Sequence, residues 1–321
     1  MTAPSAILSS LPLRFAAVAP LPEESEFGSE LTIVLGTLID TSSGEIGLAQ
    51  LLDATIATQK MAINSLAKIP YRDESDHGGV DLHLETNVEV LDACNYFVDK
   101  IDQIKNYVES LRMVARLVDS GSSNKHSATK RALEILDSFQ SVEKNYNCSS
   151  CLLKKQKLCH ETEFSEIMCG SQAMALVCCM FLDLGLSFRS KSKSKSKRGL
   201  SSSTKHSLQG TNSLWLRLLM ELANQGSSDE KMKKMGSGSC FLMNELHQTV
   251  IAARELKEHI KGNNSKKEKE IKFAVERLNK SSMKLENGIV IIEGRVKDLY
   301  KSLIDVRMAL LGILSHVPSN F

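Results

Sequence analysis

Near the end of the chain, Ile271, Val275, Leu278, Ser282, Leu285, Ile289, Ile292, Val296, Leu299, Leu303, Val306, Leu310 and Ile313 recur at alternating steps of four and three. A spacing that averages 3.5 residues draws one continuous seam along a helix about 65 Å long at 1.5 Å per residue, with Ser282 its only polar member. Such a helix is built to pack lengthwise on other helices, with Leu285, Ile289, Ile292, Val296, Leu299, Leu303, Val306 and Leu310 as its packing contacts. Val290, Ile291, Ile304 and Leu311 widen the apolar face. The flanking positions hold Asn279, Ser281, Gly288, Tyr300, Ser302 and Ala309 rather than the opposite charges of a zipper, so burial in a bundle is favoured over a dimeric seam. Gly288 and Gly294 each cost about 1 kcal/mol relative to Ala, which is expected where another backbone comes close.

The same period marks a second long helix: Leu84, Val88, Leu91, Cys94, Val98, Ile101, Ile104, Val108, Leu111, Ala115 and Val118 recur at threes and fours until Asp119-Ser-Gly121 ends it. Residues Leu31 to Ile69 read as helix broken near Ser42-Ser-Gly44 and stopped by Pro70, with an acidic loop from Tyr71 to Gly79 after it. A shorter helix, Ala128 to Lys144, should return antiparallel because its connection is short. Helical pattern resumes from Leu214 to Ala223 and from Cys240 to Ile260, separated by the polar Gly226 to Gly238 loop. No repeat of 20 to 50 residues is present, which disfavours a solenoid.

The 321 residues are 42% apolar, 24% charged and 5% aromatic with six prolines, a balance that suits long helices better than a β-sandwich. The predicted class is all-α, a bundle of long antiparallel helices with a flexible middle insert. Its segments are a disordered 1–30, a helical half 31–145, an insert 146–213, a second helical half 214–316 and a tail 317–321. A formal charge of +2 carries no general nucleic-acid footprint. The eight cysteines crowd the middle third rather than framing a small domain, so an intracellular, reducing setting is expected, in the cytoplasm or on the cytoplasmic face of a membrane. The first 22 residues contain no acid, but one base, Arg14, and four prolines make a loose terminus the better reading than an organelle transit peptide.

Two segments of the insert carry candidate chemistry. Cys148, Cys151, Cys159 and His160 are ligand types that suit tetrahedral zinc, yet adjacent Cys159 and His160 must point in different directions. Thiols scattered in a loop are the favoured reading, and no cofactor is expected. Ile167 to Phe188 is apolar over about 33 Å if helical, and Arg189, Lys191, Lys193, Lys195, Lys197 and Arg198 follow among serines. An apolar span with a basic flank has a membrane signature, with Ala173, Leu176, Val177, Phe181 and Leu182 as lipid contacts. Against it stand Gln172 and Asp183, since an Asp near the bilayer centre costs about 2.5–3.5 kcal/mol. A buried core helix followed by a solvated tail, a spanning helix and an interfacial helix all stay open. The basic tract reads as a linker, as an anionic-lipid contact or as an import-like patch, and lacks the interleaved aromatics of nucleic-acid binders. Its serines would make lipid contact sensitive to phosphorylation.

No Gly-rich phosphate loop, H-E-x-x-H or G-x-S-x-G occurs, and the eight histidines are scattered, His83, His247 and His259 reading as packing or surface residues. A non-enzymatic protein acting by helix-to-helix contacts is expected. An enzyme with a pocket between helices and a membrane-anchored adaptor are the alternatives.

Val80-Asp-Leu-His-Leu-Glu-Thr-Asn-Val-Glu-Val-Leu-Asp-Ala-Cys-Asn95, the segment Leu111-Arg-Met-Val-Ala-Arg-Leu-Val118 and the seam's end, Val306-Arg-Met-Ala-Leu-Leu-Gly-Ile-Leu314, resemble the plant BYPASS-type proteins. The resemblance spans roughly residues 31 to 316. It implies a plant-specific helical protein of developmental growth control, including root-to-shoot signalling, with exocyst subunits and polarised secretion as expected associations. It brings no catalytic residues, and the apolar middle segment that members often carry adds weight to the membrane reading.

Overall fold

The computed structural model describes residues 25–40, 47–69, 73–119, 125–144, 162–188, 213–227, 243–262 and 268–315. Among the described residues the chain forms eight helices and no strand: α1 Glu26–Ile39, α2 Leu48–Leu66, α3 Asp73–Asp119, α4 Lys125–Lys144, α5 Glu163–Gly185, α6 Leu214–Ser227, α7 Asn244–Lys261 and α8 Glu268–Ser315. Polar caps start several of them. Ser25 Oγ accepts from Gly28 N–H at 2.9 Å and Thr162 Oγ1 from Ser165 N–H at 3.1 Å, each satisfying a first-turn donor that has no partner within the helix. Helix α1 therefore begins inside the segment expected to be disordered: Phe27, Leu31, Leu35 and Leu38 bury one side of it. Helix α3 likewise starts at Asp73, within the stretch read as an acidic loop.

The 47 residues of α3 and the 48 of α8 form the spine. They run antiparallel. Asn87 Nδ2–H donates to the Leu303 carbonyl and Arg307 to that of Leu84, while Lys105 meets Glu293 and Arg112 meets Glu286 farther along. A helix of this length spans about 70 Å, too long for one pair of short helices to cover. Two pairs share the task. Helices α2 and α5 pack on the half that holds the start of α3, and α4 and α7 on the other half, each completing a four-helix layer around the same spine. Helix α1 lies on α2 and α5, and α6 on α1 and α5.

Most chain neighbours alternate in direction, as short connections require. Tyr107 packs edge-on to Phe139 at 4.9 Å, about equally far from the α3–α4 connection along each helix, so α4 is antiparallel to α3. Arg277–Glu255 and His259–Glu270 fix α7 antiparallel to α8. Helix α5 is the exception to pairwise alternation. His83 faces the Met168 carbonyl and Lys100 binds Asp183, so α5 runs parallel to α3. Its end and the start of α7 meet where the two layers join, through Met243 N–H to the Gly185 carbonyl at 3.4 Å.

The seam on α8 buries as its period predicts. Val275, Leu278, Ser282, Leu285, Ile289, Ile292, Val296, Leu299, Leu303, Val306 and Leu310 are all buried, and Ile271 and Ile313 half-buried at its ends. The extra apolar residues do not widen that face. Val290, Ile291, Ile304 and Leu311 are 58%, 54%, 37% and 39% exposed, because α2, α3 and α7 cover only the seam side. A Cβ on Gly288 would stand 2.8 Å from Met243 Cε, so the end of a side chain and not the expected backbone comes close there, and one on Gly294 would meet nothing within 4 Å.

Candidate functional site

Helix α5 draws the most attention in the sequence, and the fold places it innermost. It passes every length and composition criterion for crossing a membrane, with a mean hydropathy of 1.8 over its most apolar window. Yet 78% of that window is buried within the protein. Ala173, Leu176, Val177, Phe181 and Leu182, the expected lipid contacts, are all buried among α1, α2, α3 and α6. Lipid could reach them only if α5 left the bundle. Part of the predicted insert is thus integral to the core, because an all-round apolar helix loses more contact area than any other element if it is left outside. The basic residues Arg189, Lys191, Lys193, Lys195, Lys197 and Arg198 lie outside the described residues.

Polar contacts fix the register of α5. Asp183 accepts from Lys100 Nζ at 2.6 Å, with the two side chains 13% and 3% exposed, and the ammonium also sits 4.8 Å from the Tyr96 ring centre. The acid that argues against membrane crossing is therefore satisfied by a cation on α3. Gln59 Nε2–H on α2 donates to the Ser171 carbonyl at 2.8 Å. Trp215 Nε1–H on α6 donates to Glu166 at 2.8 Å. At Gly170 the absence of a Cβ lets Phe27 and Leu31 of α1 press close, since an added Cβ would lie 2.7 Å from Phe27 Cε1.

Reactive groups in this core are held in their inert forms. Burial pushes the Cys94 and Cys178 thiols up to about 12 and Cys179 well above the ordinary thiol range, so none supplies a thiolate nucleophile near neutral pH. Burial likewise lowers His83 to about 4, against a smaller raising effect of the Met168 carbonyl. His83 Nδ1 and Asn87 Oδ1, one helical turn apart on α3, find no hydrogen-bond partner among the described residues. Among the described residues no group of three or more His, Cys, Asp or Glu side chains is placed to hold a metal ion. The zinc candidates Cys148, Cys151, Cys159 and His160 lie outside the described residues. A small notch at the junction of the layers, lined by Gly185, Ser187, Phe188, Met243 and His247, brings no carboxylate or nucleophile pair together.

The surface offers a different kind of feature, one the sequence reading missed by assigning it to the core. Along the outer side of the α3–α8 pair, Met283, Val290, Ile304, Met308 and Leu311 of α8 stand in the open. Val88 and Met113 of α3, 42% and 47% exposed, accompany them, so Val88 leaves the apolar row in which its spacing places it. Between the two ends of this stripe runs an ion-pair ladder in which Lys105 and Lys297 flank Glu293 at 2.8 Å each. The clue was in the spacing: each of Val290, Ile304 and Leu311 directly follows a seam residue, which turns it about 100° from the seam and out of the bundle.

Residues 195–314 match the family model described as Protein ROH1-like, a plant family related to the BYPASS-type proteins. The match takes in α6, α7 and α8. No curated protein and no solved structure matches the chain.

Proposed function

We propose that this protein is a non-enzymatic regulator of plant development that works through protein contacts of its helical bundle, in root-to-shoot signalling or exocyst-dependent secretion. The reading rests on the match of residues 195–314 to the ROH1-like family, a segment that includes α8, half of the spine. The core supports it physically. Buried side chains from all eight helices fill the space between them, and a bundle so occupied presents its chemistry at the surface, where helix faces recruit other helices. Affinity purification of the tagged full chain from plant tissue, with quantitative mass spectrometry, tests the proposal. Exocyst subunits are expected well above a tag-only control, and recovery of no protein partner overturns it.

A second reading, a membrane-anchored adaptor, draws on the length and hydropathy of α5. Because α5 is central to the fold, deleting it would unfold the protein rather than merely release it from a membrane. Alkaline carbonate extraction of the intact protein from native membranes is the cleaner test. Retention in the pellet supports the adaptor, and release into the supernatant removes it.

A further inference from the structure

Helices α2, α3, α5 and α8 bring polar side chains to one level of the bundle. Gln59 of α2 donates to the Ser171 carbonyl of α5, Asn87 of α3 donates to the Leu303 carbonyl of α8, and His83 of α3 faces the Met168 carbonyl of α5. Gln172 and Ser302 directly adjoin residues in these contacts, so Gln59, His83, Asn87, Ser171, Gln172 and Ser302 share one cross-section. All six are buried. The Ser171 and Ser302 hydroxyls donate to the Met168 and Leu299 carbonyls of their own helices. Three other atoms of the layer have no such outlet. His83 Nδ1, Asn87 Oδ1 and Gln172 Nε2 make no hydrogen bond among the described residues, although the residues are only 4%, 3% and 8% exposed. Folded proteins almost always pair such groups.

The three converge. His83 and Asn87 are one turn apart on α3, and Gln172 lies one turn beyond Met168 and three turns before Asp183, on the side of α5 that meets Lys100 of α3. Helical side chains lean toward the N-terminus, and α3 and α5 run parallel, so Asn87 and Gln172 both lean back to the level where His83 meets Met168. Chemistry names the occupant. With Asn87 Nδ2–H engaged by the Leu303 carbonyl, Oδ1 requires a donor, Gln172 Nε2–H requires an acceptor, and an imidazole nitrogen takes either according to its tautomer. A direct bond between the two amides would serve both, yet the structure does not make it. A cation would suit Oδ1 but be repelled by the amide N–H, and an anion the reverse. Water gives protons and accepts them, and about three hydrogen bonds is the usual number for a buried one. We infer that a buried water molecule is bound between α3 and α5, donating to Asn87 Oδ1, accepting from Gln172 Nε2–H and hydrogen-bonded to His83 Nδ1. Such a water ties α5, the helix apolar enough to cross a membrane, into the bundle whatever partner the surface engages.

A high-resolution crystal structure of the full chain tests the site without any substitution. A solvent peak within about 2.7–3.2 Å of both Asn87 Oδ1 and Gln172 Nε2 is expected, and a dry layer, or one closed by direct bonds among the three side chains, overturns the proposal. In solution, oxygen-17 relaxation dispersion of the solvent counts long-lived internal waters. Asn87→Leu/Gln172→Leu removes both amide anchors and should lower that count by about one relative to the parent. Thr58→Val, which deletes a buried hydroxyl already bonded to the Ala54 carbonyl, should leave it unchanged. Circular dichroism verifies that both variants are folded. An unchanged count in the folded double variant, or an equal loss in Thr58→Val, overturns the proposal as well.

Discussion

Removing the ammonium of Lys100 strands a carboxylate in the middle of the bundle. Asp183 sits on a helix otherwise apolar enough to cross a membrane, and its partner is 2.6 Å away with both side chains largely shielded from water. Lys100→Met keeps most of the stem volume and deletes the charge. Breaking one side of a buried ion pair costs about 3–5 kcal/mol, a large share of the 5–15 kcal/mol by which folded domains exceed their unfolded chains. Loss of the Tyr96 contact adds up to about 2 kcal/mol where the cation is desolvated. Replacing both partners, as Lys100→Met/Asp183→Leu, leaves no orphan charge and should lie within about 1 kcal/mol of the parent or be more stable. Urea unfolding followed by far-ultraviolet circular dichroism measures all four corners of the cycle, with an unchanged slope certifying that only stability has moved. If Lys100→Met costs no more than about 1 kcal/mol, the pair behaves as an exposed one and α5 is not held as described. If the double variant is as unstable as the single one, packing rather than charge is responsible.

Stability should also depend on pH through His83. Burial holds its folded value at about 4, below the ordinary 6.5, so folding favours the neutral ring; the stabilisation is complete above pH 6.5 and is lost as pH falls from there towards 4. The shift corresponds to roughly 3 kcal/mol, and urea titrations at several pH values should be flatter across that window for His83→Phe; an unchanged slope refutes the assignment. Two glycines should respond oppositely to alanine. Gly170→Ala forces a Cβ against Phe27 and Leu31 and should destabilise by about 1–3 kcal/mol, while Gly294→Ala meets nothing and should gain about 1 kcal/mol, both read from urea midpoints. Leu299→Ala in the fully buried seam should cost about 2–5 kcal/mol and Ile291→Ala on the open side under about 0.5 kcal/mol, so similar losses at the two would contradict the orientation of α8.

Where apolar side chains repeat on one side, sequence reading and structure agree closely. The seam from Val275 to Leu310 is buried, and so are Ile101, Ile104, Val108 and Leu111 of the expected row on α3, since a helix with one apolar side has one way to escape water. In the first half of α3 the row drifts, with Val88 exposed and Leu84, Leu91 and Val98 half-buried while His83, Asn87, Val90 and Phe97 take the inside. Readings failed where the local signal was short or symmetrical. The first turns of α1 lie next to a proline-rich stretch, and their order comes from Phe27 and Leu31 meeting Gly170, a contact far off in the chain. Val290, Ile304 and Leu311 adjoin the seam in sequence, which suggests a wider inward face, although a single residue step already turns them outward.

The residues by themselves determined an all-helical protein, its two longest helices and the face that α8 would bury, because a period near 3.6 is a property of one segment and needs no partner to be legible. Partnership was decided only in three dimensions. Helix α5 is apolar nearly all round, and such a surface is satisfied equally by lipid tails or by neighbouring side chains, so its place depended on whether α1, α2, α3 and α6 could close around it. Lys100, 83 positions from Asp183 in the chain, supplied the charge that lets an acid stay there, a complementarity between two helices that neither segment encodes alone.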